Sequence, residues 1–402
     1  MKRPGPPEQP EFSLIRGGLW YQIELGLRLL RPESLRAGQR AIFYALLTWT
    51  PLAALCALSG NALDSGAHYG RVPFFEDIAI HVRLLIALPT LVLTEAVVDR
   101  GTGLLVGHFR NVGIVGPNGR DRFEEAVRGT VRLRDSWIAE VVILGLAFAS
   151  SWTRVHDETR ESEAWIASVA GSQSHLAPAG WWLGLVAQPI FVSCFLRLLW
   201  RYGLWAHLQW KVSRCPLDLS PAHPDRMGGL GLLKFGQRSF TGLFFAVSAV
   251  FSASIANRMI HEGANLLDFK MTAGALGVCA ILVYAGPLLV FLPPLARAKW
   301  QGLMKYDRFA GDYTQAFDRK WLRPAKGQSE REHPDEALGS GDIQSLADLG
   351  NAFERVEAMK IVPIDLGTAI RPALAVALPL LPLALMIMPL AELLKLLVKA
   401  LM

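Results

Sequence analysis

The chain has 402 residues, 51% of them hydrophobic and 19% charged, with a mean hydropathy of +0.28. That is too apolar for the surface of an ordinary soluble domain, so the bilayer is the expected solvent. Forty-one basic residues against 35 acidic ones leave a net charge of +6, the excess expected of loops kept in a cytoplasm. With no aromatic-interleaved basic patch or nucleic-acid motif, it excludes a nucleic-acid partner.

The first ten residues are polar and proline-rich. They lack the apolar centre and small-residue cleavage site of a signal peptide, so the first span is expected to act as its own insertion signal. From Phe12 to Leu30 the apolar residues Phe12, Ile15, Leu19, Trp20, Ile23, Leu27 and Leu30 recur at steps of three and four, with Arg16, Glu24 and Arg28 between them. This pattern predicts one amphipathic helix, too charged to span, lying on the membrane surface or packed on its cytoplasmic side within a segment 1–40.

Apolar runs near the length of about 20 residues that a spanning helix needs occur at 41–59, 78–98, 137–153, 181–203, 240–259, 272–294 and 373–391. The expected fold is therefore all-α, a polytopic transmembrane bundle of about seven spans with a small cytoplasmic helical layer, or six spans if the short third run or the proline-rich last one is re-entrant. Loop charge sets the orientation. Lys2, Arg3, Arg16, Arg28, Arg31, Arg36 and Arg40 precede the first span; Arg100, Arg110, Arg120, Arg122, Arg128, Arg132 and Arg134 follow the second; Lys211, Arg214, Arg226, Lys234 and Arg238 follow the fourth. In the alternate loops Arg71 stands against Asp64, Glu76 and Asp77, and Arg154 and Arg160 against Asp157, Glu158, Glu161 and Glu163. A cytoplasmic N-terminus and an external C-terminus follow.

The bundle is expected over 41–295, with cytoplasmic loops 99–136 and 204–239. Beyond it a charged amphipathic helix from Arg297 to Trp321, a flexible linker at 323–342 rich in proline, glycine and charge, and a second amphipathic helix from Ile343 to Lys360 make a cytoplasmic segment 296–372. The last unit, 373–402, combines a span holding Pro379, Pro382 and Pro389 with an interfacial helix carrying Lys395 and Lys399.

Ionisable side chains inside spans are costly, and that makes them candidates for function. Glu95 lies near the end of one span, Glu140 near the start of the next, and Arg197 and Arg201, four apart on one helix face, late in another. All four stand at one level toward the cytoplasm. They form either an interhelical ion-pair clasp or a polar permeation path. His81, Arg83, Asn257 and Arg258 fall near the outer face, where interfacial placement explains them.

The second candidate is the glycine-dense loop Ser220–Gly231. Pro224 holds His223 extended, Asp225 can hydrogen-bond the turn, and Gly228, Gly229 and Gly231 permit backbone shapes or close approaches that side chains forbid. Such a turn serves as a packed connector, or offers amides to an anion at a pore mouth. Cys56, Cys194, Cys215 and Cys279 stand singly, and no HExxH, GxSxG or paired CxxC occurs, so no cofactor and no metal ion are expected, although a mixed His/Asp site assembled in three dimensions stays open.

The segments AHPDRMGGLGLL, PLARAKWQGLMKYDRFAGDY and GDIQSLADLGNAFERVEAMKIVPI resemble a group of uncharacterised bacterial multi-pass inner-membrane proteins marked by an HPD-GGLG cytoplasmic loop. The resemblance covers roughly the second half and implies a bacterial inner membrane; it carries no activity. Three functions are open: a channel or transporter-like protein for ions or small charged solutes, a membrane scaffold or sensor, and an enzyme working at the cytoplasmic lipid interface through His223 and Asp225. The expected partners are the lipid bilayer, a further copy in a homo-oligomer, and a cytoplasmic protein.

Overall fold

The computed structural model describes residues 12–60, 62, 72–158, 165–170, 173–322 and 340–387. Apart from one short β-hairpin, β1 (Ala167–Ala170) paired antiparallel with β2 (Gln173–Leu176), its regular structure is helical. Five helices are long and apolar enough to cross a membrane: Ala37–Leu58, Ile78–Asn111, Pro178–Ser213, Leu230–His261 and Leu266–Leu289. A sixth is reached if Pro117–Arg134 and Trp137–Arg154, which meet at a bend of 43°, form one span. The run expected at 137–153 thus meets the length and composition of a span only together with the charged helix before it. The run expected at 373–391 is represented by the shorter apolar stretch Ile370–Met386. The linker residues 323–339 and the tail 388–402 lie outside the described residues.

The expected helix from Phe12 to Leu30 is much shorter. Only α1 (Leu19–Gly26) is helical, because Gly17 and Gly18 interrupt the pattern and Gly18 takes φ 86°, where only glycine is unstrained. The preceding chain does not lie on a surface. Phe12, Leu14 and Ile15 are buried in the main core with residues of the long helices.

Other helices are longer than their apolar runs. Next come α2 (Ala37–Leu58) and α3 (Ile78–Asn111), then α4 (Arg120–Arg134) and α5 (Trp137–Glu158), and then α6 (Pro178–Ser213). At 1.5 Å per residue, α3 and α6 exceed about 50 Å against a hydrocarbon core of about 30 Å. Much of the loops expected at 99–136 and 204–239 is therefore helix. An apolar run marks the depth of the bilayer, whereas the helix itself continues once its pattern turns amphipathic.

These helices form two hairpins in tandem, α2–α3 and α5–α6, at the same spacing: Ala37 is matched by Trp137 and Ile78 by Pro178. The second helix of each contains one widened turn, Arg83–Ala87 and Leu183–Ala187. Each is followed two residues later by a proline, Pro89 or Pro189, which cannot donate to the turn before it. The outside of these helices is apolar and exposed, as at Ile42, Leu46, Val141, Val142 and Leu185, while charged groups are buried within. That inversion of the soluble pattern suits lipid.

The second half packs around this pair. A short α7 (Leu233–Arg238) leads into α8 (Thr241–His261), followed by α9 (Lys270–Leu289). The helix α12 (Leu366–Ile387), with Pro372, Pro379 and Pro382 inside it, docks on α8. There Ser248 and Ser252, one turn apart, donate to the Val376 and Pro379 carbonyls, both at 2.6 Å. Beneath lie α10 (Leu292–Phe317) and α11 (Gly341–Glu357). Because α11 begins at Gly341, it takes the last residues of the expected linker. Asp342 there accepts from Lys320 at 2.5 Å and from the Trp321 indole at 3.1 Å, which ties the two helix ends together.

Candidate functional site: a buried ionic layer and a glycine loop

At the end of the bundle where the chain enters from residue 12, the four sequence candidates lie in one buried layer. Arg197 Nη2 on α6 stands 3.7 Å from Glu95 Oε1 on α3, and Arg201 Nη2 stands 4.0 Å from Glu140 Oε1 on α5. Arg201 also donates to the carbonyls of Arg134 at 3.1 Å and Gly17 at 3.2 Å.

The tightest contacts belong to residues that run-length reasoning left out. Arg40 on α2 donates through Nη2 to Glu95 Oε2 at 2.8 Å and to Glu24 Oε1 at 2.7 Å, and through Nε to the same Glu24 oxygen at 3.1 Å. Tyr44, one turn on, donates to that oxygen at 2.6 Å. Arg40 is 1% exposed, Glu24 2%, Glu95 and Arg197 4% each. Two carboxylates and two guanidiniums thus balance where an unpaired charge would be several kcal/mol too costly.

The N-terminal segment enters this layer as a participant. Trp20, one turn before Glu24 on α1, lies under the Arg197 guanidinium, 5.3 Å from ring centre to Cζ. Asp99, one turn beyond Glu95, accepts from Ser13 Oγ and, at 3.0 Å, from Arg16 Nε. Arg134 donates to the Ser13 carbonyl at 2.7 Å. An open cleft of about 590 Å³, lined by Ser13, Arg16, Arg36, Gln39, Asp99 and Arg100 among others, lies at this end beside Asp99. One signal was available for Arg40: Arg40, Tyr44 and Thr48 are four apart, one polar face on an otherwise apolar helix. Glu24 gave no comparable signal, because its neighbourhood is charged throughout.

On the opposite side of the layer the interior becomes apolar. Leu52, Cys56, Leu84, Leu183, Ala187, Phe74 and Trp165 form a second buried cluster. Around it His81 accepts from the Trp49 indole at 2.9 Å, Arg83 reaches Gln188 at 3.5 Å, and Asn257 donates to Asp77 at 2.7 Å; Arg258 is exposed.

In the glycine loop, Asp225 is the centre. Its Oδ1 accepts the Met227 amide at 2.8 Å and the Gly229 amide at 3.1 Å, its Oδ2 accepts the Gly231 amide at 2.8 Å, and His223 Nδ1 lies 2.8 Å from Oδ1. Gly228 and Gly229 take φ 64° and 99°. Gly231 has no such need; a Cβ there would stand 2.9 Å from Asp225 Oδ2, so its role is the close approach of the ring of amides to the carboxylate. Burial alone would raise the Asp225 carboxyl, but the amides of Met227, Gly231 and Gly229 and the His223 ring together hold it below the usual carboxylate range. The loop wedges under the second-half helices. The Lys360 amide donates to the Arg226 carbonyl at 2.8 Å, and a Cβ at Gly302 of α10 would meet Pro221 at 2.6 Å. His223, Asp218, His108 and Lys234 share an open cleft of about 630 Å³. Among the described residues no group of three or more His, Cys, Asp and Glu is placed to hold a metal ion.

Lys234 also reaches Asp365, at 3.4 Å, where the Asp365 carboxylate caps the start of α12 by accepting the Thr368 hydroxyl at 2.5 Å and amide at 2.7 Å. The Thr368 hydroxyl is the main cause that brings Asp365 down to about 2, against burial, with the Thr368 amide and Lys234 adding to it. A carboxyl lowered on folding contributes stability that is complete above its unfolded value, near 3.9, and is lost as pH falls through its folded one. Between pH about 4 and about 2, the melting temperature of the wild type should therefore fall more steeply than that of Asp365→Asn. Parallel slopes would show that this cap does not couple to unfolding.

The chain matches no protein-family model, no curated protein and no solved structure. Its class rests on its own construction. Several apolar helices of membrane length enclosing a charged interior are consistent with an integral membrane protein.

Proposed function

We propose that the chain is a channel or transporter-like membrane protein that passes ions or small charged solutes along the seam between its two tandem hairpins. The observation that carries this reading is Arg40, 1% exposed and bonded to carboxylates from two other segments of the chain. Buried charge at membrane depth marks solute paths, and in transporters built from tandem repeats the solute site lies where the repeats meet. Here α2 and α3 of one hairpin supply Arg40 and Glu95, and α5 and α6 of the other supply Glu140, Arg197 and Arg201. The apolar cluster around Leu52, Leu84 and Leu183 then closes the far side, so passage requires the hairpins to move against each other.

In this reading the protein belongs to the bacterial inner membrane with its N-terminus, the ionic layer and the HPD-GGLG loop on the cytoplasmic side, and seven spans include α5 and α12. The distribution of loop arginines supports it. Purified protein in liposomes should carry charged solutes above protein-free vesicles, with a size-resolved measurement of the oligomer alongside; no flux of any small anion or cation would sink the proposal. A cysteine placed at Ser59, in a Cys279→Ala background, should react with an impermeant reagent from outside the cell. Labelling from the cytoplasmic side alone would reverse the topology.

A scaffold or sensor function has one observation in its favour, the exposed Trp300, Met304 and Phe309 on the otherwise charged α10. Catalysis through His223 and Asp225 is disfavoured, because three backbone amides already engage the Asp225 oxygens.

A further inference from the structure

We propose that Arg40 and Tyr44 form a binding site for a small carboxylate, that Glu24 fills this site as an internal ligand, and that α1 (Leu19–Gly26) is a tethered plug in front of the ionic layer. The inference rests on the transport reading for what the site is used for, and on local geometry for its existence.

Three features of the geometry support it. The grip on Glu24 is that of a carboxylate site: one oxygen accepts both Nε and Nη2 of Arg40 and the Tyr44 hydroxyl, within 2.6–3.1 Å. Charge-assisted donors from a guanidinium fork and a phenol are a frequent means of binding such anions. Charge balance gives the second argument. Of the four innermost ions, Glu95 is opposed by both Arg40 and Arg197, so the helices alone carry one positive charge too many, and only Glu24, from outside the bundle helices, neutralises it. The third is spare donor capacity. Arg40 Nη1, on the same guanidinium, and Arg197 Nε are buried with no hydrogen-bond partner among the described residues. Buried donors are mostly engaged, so these two can take a further acceptor.

The plug meets the layer through polar and ring contacts, while Phe12, Leu14 and Ile15 before it are anchored in the core. Trp20 covers Arg197, Ser13 and Arg16 meet Asp99, and the Gly17 carbonyl meets Arg201. Gly17 and Gly18 stand just before α1, and Gly18 turns the chain there with φ 86°. Withdrawal of α1 would take both Trp20 and Glu24 from the arginines, since they lie on one helix face, and would open the site toward the cleft beside Asp99. The solute that replaces Glu24 must bring one negative charge and an oxygen that can accept from Arg40 Nε and Nη2 and from the Tyr44 hydroxyl.

The test uses the fact that truncation of Glu24 at Cβ removes the atoms of one acetate ion. Purified full-length Glu24→Ala should melt below the wild type in chloride. Sodium acetate at matched ionic strength should restore at least half of the loss while leaving the wild type, whose site is filled, unmoved. Glu24→Ala combined with Arg40→Met should not respond to acetate. Equal melting of Glu24→Ala in acetate and chloride would overturn the proposal, and so would an equal gain in the wild type. If Glu24→Ala is not recovered in chloride, the yield of monodisperse protein from acetate against chloride gives the same reading, and equal yields overturn it. Acetate flux into liposomes separates the two levels: rescue without flux keeps the site and rejects transport, whereas flux without rescue keeps transport and rejects this site.

Discussion

Replacing Arg40 with methionine should cost about 3–5 kcal/mol of stability, the range for removing one partner from a buried ion pair. Methionine is similar in length and fits the same channel between helices, so the loss comes from charge rather than from a cavity. What it leaves behind decides the size. Glu24 and Glu95 both bond to Arg40 Nη2, so after the change two carboxylates face one another with Arg197, 3.7 Å from Glu95, as the nearest remaining cation. The compensated variant, Arg40→Met with Glu24→Gln, should recover most of the loss, because Glu95 keeps Arg197 at 3.7 Å and no lone charge then remains. Thermal melting of the detergent-solubilised proteins measures both. If Arg40→Met alone melts with the wild type, water reaches the layer freely and the ions are screened as at a surface.

How much of this site was legible follows from what each signal encodes. Apolar run length located the helices through 41–59, 78–98 and 181–203, and matching depth within those runs placed Glu95, Glu140, Arg197 and Arg201 at one level. Arg40 was hidden because it stands one residue outside its run and counted as a loop charge, although Tyr44 and Thr48 repeat its face. Glu24 was hidden for a deeper reason. A periodic charged segment of this length satisfies an interfacial helix as well as an inserted one, and only the tertiary partners, Arg40 and Tyr44, decide between them. The tandem hairpins are hard to read from the residues because lipid-facing positions tolerate any apolar residue; the backbone spacing carries the repetition instead. In the loop, the glycines and Asp225 signal turn chemistry, and φ 64° and 99° at Gly228 and Gly229 are of that kind. The three amides converging on one carboxylate were not readable, since the role of Gly231 depends on a fold of the loop that no spacing encodes.

That loop gives the second large effect. Asp225→Ala should cost roughly 3 kcal/mol, from three amide hydrogen bonds at about 1 kcal/mol each, because Met227, Gly229 and Gly231 lose their acceptor where the loop is partly shielded. Asp225→Asn should cost less. Its carbonyl oxygen still serves Met227 and Gly229, while its NH₂ is set against the Gly231 amide. Gly229→Val should also destabilise, by roughly 1–3 kcal/mol, since φ 99° strains a β-branched residue whatever space surrounds it. His223→Ala should differ from all three. The His223 side chain is 42% exposed and meets only Asp225, at its carboxylate and its amide, so its loss should stay within about 0.5 kcal/mol. This order separates the two residues of the dipeptide's flanks: Asp225 holds the loop under α10 and α11, and His223 faces the cleft beside His108, Asp218 and Lys234. Melting temperatures of the four variants give the order directly. A His223→Ala loss as large as that of Asp225→Ala would make the pair one structural cap, while an unchanged Asp225→Ala would mean that the amides find water as readily as the carboxylate. With the expected order, solute flux through His223→Ala becomes a clean measurement, because the protein that carries it is as stable as the wild type and any fall in rate belongs to the imidazole.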